Sequence, residues 1–153
     1  MTIDEITDFM RDLDGVLAVS PGPDDGSPEI SWGDTFFYYA PDGVVPKAAQ
    51  PFATIVTKNY PGDERSRLDR PDAFRVNIAA GKEAFVERTG HAPREAAVDD
   101  DPGRTDAVMA HPVYGSMGWL AVVNPGRRTG TATRELLRDA CHLARSRHER
   151  RTG

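Results

Sequence analysis

Cysteine is almost missing from this chain of 153 residues: Cys141 stands alone. No internal disulfide can form, so stability must come from side-chain burial. No apolar run approaches the ~18 residues that a membrane span needs. The opening Met1-Thr2-Ile3-Asp4-Glu5 is acidic and lacks the basic segment of a secretory leader. The expectation is a soluble, cytoplasmic protein with no membrane partner. Also missing are a nucleophile elbow, an HExxH pair, paired cysteines and a dinucleotide fingerprint. Gly81-Lys82 has neither the glycine spacing before it nor the hydroxyl after it that a phosphate loop requires. These absences disfavour most cofactor-dependent chemistry, and neither a cofactor nor a metal site is expected.

Charge is unevenly spread. The net value of -5 argues mildly against nucleic acid, and from Asp4 to Asp42 Arg11 is the only base. Arg127, Arg128, Arg134, Arg138, Arg145, Arg147, Arg150 and Arg151 crowd the other end. Cations near a helix C-terminus complement its dipole, and no recognised nucleic-acid motif accompanies them. A length of 153 residues suits one domain, expected over 1–153.

Thr2 and Glu5 have capping-box spacing, and Ile3, Ile6, Met10 and Leu13 recur at helical steps, which predicts an amphipathic helix over 3–13 ended by Gly15. Asp4, Asp8 and Asp12 stack carboxylates on its other face, a solvated row that could attract a hard cation. Val16 to Ser20 reads as a strand, followed by a Pro/Gly/Asp-rich loop. Ile30-Ser31-Trp32 and Thr35 to Tyr39 read as a hairpin turning at Gly33-Asp34. The stretch 52–58 is a β-branched strand, and the charged loop 61–72 reads as a solvated, ion-paired surface. Phe74 to Ala79 alternates, with Phe74, Val76 and Ile78 inward and Arg75 and Asn77 on the other face. Residues 81–88 form a short helix anchored by Phe85 and closed by Gly90. Asp99-Asp100-Asp101 sits in a polar loop without the spacing of a calcium loop. Thr105 or Asp106 is expected to cap a helical turn through Met109. Trp119 to Val123 is a strand, and Thr131 or Thr133 caps a last helix with Leu136, Leu137, Ala140, Leu143 and Ala144 inward. Cys141, in mid-helix, reads as inert. Successive strands joined by short turns predict an α+β fold: a twisted, mainly antiparallel sheet with the N- and C-terminal helices on one face.

The chain is organised around His111-Pro112-Val113-Tyr114-Gly115-Ser116-Met117-Gly118-Trp119, three rings on a glycine-punctuated loop that feeds a strand. Asp34 to Tyr38, Pro51 to Thr57, Phe74 to Ile78 with Gly81 to Phe85, and His111 to Tyr114 with Trp119 resemble an uncharacterised bacterial family of unknown function. That family is similar in layout to the YjbR/CyaY-like superfamily, which includes the frataxins. The resemblance implies a twisted antiparallel sheet backed by two terminal helices. Frataxins bind iron through acids on the first helix and first strand; here Asp4, Asp8 and Asp12 match in kind, whereas Val16-Leu17-Ala18-Val19 carries no acid. The recurring polar set in these motifs is Asp34, Tyr38, Thr57, Lys58, Arg75, Asn77, Lys82, His111, Tyr114 and Trp119.

Two readings of that set differ in class. If Arg75 and Asn77 leave the sheet face opposite the core, they line a groove that the His111 loop closes over. It would suit a small polar or anionic ligand paired by Arg75 or Lys58 and stacked on Trp119 or Tyr38. Alternatively, His111 is a general acid or base with Tyr114 as second donor in an isomerisation, cyclisation or hydrolysis. A third possibility, purely structural, has the His111 ring cap a backbone carbonyl.

Overall fold

The computed structural model describes residues 1–95 and 101–152. The first helix, α1 (Ile3–Arg11), starts where its capping box dictates: Thr2 Oγ1 accepts from the Glu5 amide at 3.1 Å, and the Glu5 carboxylate accepts from the Thr2 amide at 3.2 Å. It runs out at Asp12, slightly earlier than periodicity suggests, and buries Ile6 and Met10. The remaining elements are β1 (Val16–Val19), β2 (Thr35–Tyr39), β3 (Ala53–Val56), β4 (Arg75–Ala79), α2 (Gly81–Thr89), β5 (Val108–Ala110), β6 (Trp119–Val123) and α3 (Gly130–Thr152).

The six strands form one antiparallel sheet in the order β1-β2-β3-β4-β6-β5. Its register sorts side chains by face. Phe37 sits opposite Ala53, Ala53 opposite Ile78 and Ile78 opposite Leu120, and these residues share a core with Ile6, Met10, Leu136 and Leu137 of α1 and α3. Both terminal helices therefore lie on one face, as the α+β pattern predicts. Residues one step along point the other way: Phe36 opposite Thr54, Thr54 opposite Asn77, Asn77 opposite Ala121, and Val56 opposite Arg75. Loops cover this second face. Leu68, from the charged loop, packs on Val56 and Val123.

Three local expectations are corrected. Ile30 to Trp32 is not a strand: Glu29–Ser31 is a 3₁₀ turn after Pro28, with the Ser31 amide donating to the Pro28 carbonyl at 3.0 Å. Proline fixes φ for a turn, and β2 already has β1 and β3 on its two edges, so no hairpin partner is needed. The segment through Met109 is the edge strand β5, not a helical turn. Asp106 sits at φ 54 and turns its carboxylate to the start of α3 instead. There it accepts from the amides of Gly126, Arg128 and Thr129 and from the Thr129 hydroxyl at 2.6 Å. Thr131 and Thr133 are thus not the cap, and the buried Thr133 hydroxyl has no partner among the described residues. Asp99 and Asp100 lie outside the described residues, whereas Asp101 pairs with Arg67 at 2.9 Å.

Candidate functional site

Arg75 is set on β4 by strand alternation, and it is only 2% exposed. Burying a guanidinium is costly unless its charge is matched and its donors are mostly paired. Asp63 supplies the charge, with its two oxygens 2.9 Å from Nη1 and 2.6 Å from Nη2. Nε donates to Asn77 Oδ1 at 2.7 Å and Nη1 also to Ser66 Oγ at 3.0 Å, and Nη2 lies 3.1 Å from His111 Nε2. Asn77 in turn donates to Thr54 Oγ1 at 2.9 Å, across the β3–β4 register. Burial opposes charge on Asp63, yet the hydrogen bonds and charge of Arg75 outweigh it and hold the carboxyl below its ordinary range.

His111 opens the β5–β6 connection. Its amide donates to the Trp119 carbonyl at 2.9 Å, closing the loop, and Gly118 at φ 85 takes the left-handed turn that returns the chain to β6. Gly115 is also closely placed: a Cβ there would lie 3.3 Å from that of Ala110. The ring does not cap a carbonyl. Its Nδ1 accepts from the amides of Val113 and Tyr114, each at 3.0 Å. Burial, reinforced by the Arg75 charge and only partly offset by Asp63, pushes its pKa down to about 3. His111 is thus neutral at ordinary pH. Tyr114 leans on it with ring centroids 5.0 Å apart, and Trp119 follows at 6.5 Å.

Arg75, Asn77, His111, Tyr114 and Trp119 line one open groove of about 590 Å³ on the helix-free face, with Phe36 and Tyr60 on its walls. Sequence reasoning names the first five. It misses Asp63, Ser66, Thr54 and Tyr60, because the charged loop reads as solvated surface. The loop is in fact fastened down: Arg65 donates to the Pro112 carbonyl at 2.5 Å, and Arg70 to the Gly103 carbonyl at 2.8 Å. The concentration of arginine and aspartate between two strands was the available signal.

The other named residues lie elsewhere. Asp34 is fully buried beside the groove and accepts from the Thr57 amide and hydroxyl at 2.8 Å, from Lys58 Nζ at 2.9 Å and from the Tyr60 hydroxyl. Burial, with the Asp34 hydrogen bond and charge, pushes the Tyr60 hydroxyl pKa up. Lys58 is thus committed to Asp34 and to the Trp32 carbonyl at 2.7 Å, not to the groove. Tyr38 lines a neighbouring cleft with Arg147 and Arg151, joined to the groove through Gln50, Pro51, Met117 and Trp119. Lys82 borders a separate hollow with Ser116 and Arg94. Asp4, Asp8 and Asp12 are exposed. Among the described residues no group of three or more His, Cys, Asp or Glu is placed to hold a metal ion, and no helix is long and apolar enough to cross a membrane.

No curated protein and no solved structure matches the chain, so no link to the YjbR/CyaY-like superfamily is shown. A family model, by contrast, covers residues 1–153. The chain belongs to DUF6194, a family of unknown function.

Proposed function

We propose that this protein binds a small polar or anionic molecule in the groove between the sheet and the His111 loop. The observation that carries the reading is convergence: residues from β2, β3, β4, β6 and four loops meet on one concavity, with a polar floor of Arg75, Asn77 and His111 and aromatic walls. Burying an arginine and a histidine beneath these rings is costly in desolvation, and a bound polar ligand would offset part of that cost. Tyr114, on the groove's lining, is 50% exposed.

The rival, His111 as general acid or base, is weaker. A base works best with a pKa near the operating pH, and burial and Arg75 drive this one down to about 3. Frataxin-like iron binding has only the exposed row on α1 in its favour. The test is a protein-observed NMR screen of small organic acids, amides, alcohols and amines. Hits are expected to shift Asn77, Tyr114 and the Trp119 indole together, and a Trp119→Ala variant should lose them. Shifts confined to α1, or none in the groove, would remove the reading.

A further inference from the structure

The five N–H groups of Arg75 have five acceptors only if His111 Nε2 offers a lone pair, since the other four go to Asn77, Ser66 and both oxygens of Asp63. The far side of the same ring also receives donors, from the amides of Val113 and Tyr114 at Nδ1. Three N–H groups thus point at two ring nitrogens. A neutral imidazole carries one donor and one acceptor, so one side of His111 must set N–H against N–H. Two backbone amides fixed by the turn outweigh one side-chain donor whose charge Asp63 already matches, which puts the ring proton on Nε2. His111 Nε2–H and Arg75 Nη2 are then two donors 3.1 Å apart with no acceptor between them. Both residues line the groove, and both are at least nine-tenths buried.

We propose that the groove's ligand is an organic carboxylate, one oxygen of which seats on the edge between His111 Nε2 and Arg75 Nη2. This rests on the ligand-binding reading above and names its chemical class. An oxygen at about 2.9 Å from each nitrogen would close a triangle on that 3.1 Å edge. Charge leaves room for an anion. Arg75 and Asp63 cancel, His111 is neutral, Asp34 is matched by Lys58, and Arg65 beside Asp63 is offset by Glu64, which accepts from the groove-lining Gly62 amide. Asn77 Nδ2 spends one of its two hydrogens on Thr54, and Thr54 accepts there and keeps its own hydroxyl proton, so the neighbouring floor is also rich in donors. Phe36, Tyr114 and Trp119 offer apolar faces for the rest of the acid.

Benzoate, benzyl alcohol and benzylamine share a ring and differ in the group presented. The ring nitrogens of the ¹⁵N-labelled protein report the tautomer directly. The free protein should show His111 as the Nε2–H form. Benzoate should shift Nε2 and the Trp119 indole together, and bind roughly tenfold or more tighter than benzylamine, the margin of one charge-assisted hydrogen bond. His111→Phe keeps the ring, removes the donor and should abolish that margin; if it fails to fold, the wild-type tautomer and titrations still decide. An Nδ1–H tautomer in the free protein overturns the proposal. Equal binding of all three probes at Trp119 with His111 unmoved also overturns it, while leaving the ligand-binding reading intact. If no probe perturbs any groove residue, the carboxylate assignment falls, and the wider screen above decides the reading beneath it.

Discussion

The two faces of the sheet solve burial in opposite ways. Under α1 and α3, Phe37, Ile55, Ile78 and Leu120 are buried with no polar groups to satisfy, and each contributes by leaving water. Under the loops, Arg75, Asn77 and His111 are just as hidden, but they are tolerable only because Asp63 answers the charge and most of their polar atoms meet partners. The first face is forgiving of detail and the second is not. Substitution should expose this difference.

Asp63→Ala should produce the largest loss, about 3–5 kcal/mol, because it leaves Arg75 buried without a counter-charge. Urea unfolding measures it, and the double change Asp63→Leu with Arg75→Met should recover most of the loss. On the helix face, Ile78→Ala should cost about 2–5 kcal/mol, with no second-site rescue of that kind. Should the Asp63 double variant stay as unstable as the single one, the ionic account of this face is wrong.

Acid should attack the loop face first. Unfolded histidine takes up a proton near pH 6.5, whereas native His111 refuses it until about pH 3. The native state therefore binds fewer protons across that window, and stability falls as the pH drops through it. Asp63 acts lower down: its contribution is complete above 3.8 and is lost as the pH falls through its depressed native value. A pH series of unfolding midpoints should show both limbs, and His111→Gln should flatten only the upper one.

Asp106→Ala should cost about 1–2 kcal/mol, the value of a strong helix cap, read from the urea midpoint. Smallest of all, Met117→Ala and Tyr114→Ala at the groove's rim should change stability by less than about 0.5 kcal/mol. A larger loss would make the rim part of the fold and weaken its reading as a ligand contact.

Regular elements with strong local signals were legible. The capping box of Thr2 and Glu5 sets the start of α1, and the alternation from Phe74 to Ala79 sends Arg75 and Asn77 away from the core. Five groove residues follow from that alternation together with the ring-bearing loop. Residues whose roles depend on distant partners were not legible. Asp106 caps a helix that begins more than twenty positions later. Asp63 and Ser66 sit in a stretch whose composition looks solvated and whose burial comes from Leu68, Arg65 and Arg70 tying it down. Lys58, named for the groove, is drawn off by Asp34. The Ile30 strand failed for the converse reason, because local turn bonds after Pro28 satisfied it first.

The sequence alone determined the α+β class, which strand residues face which way, and the likeness to a family of unknown function. Periodicity and caps are local, and the apolar excess on one side of each strand has only one way to hide. Only the tertiary structure decided that Asp63 answers Arg75, that three donors converge on the His111 ring, and that this happens at the floor of an open groove. Two of the donors on the ring are local, but the contacts that bring Arg75 to Asp63 and to His111 join residues 12 and 36 positions apart. No local rule encodes which buried charge will meet which partner once the chain has closed.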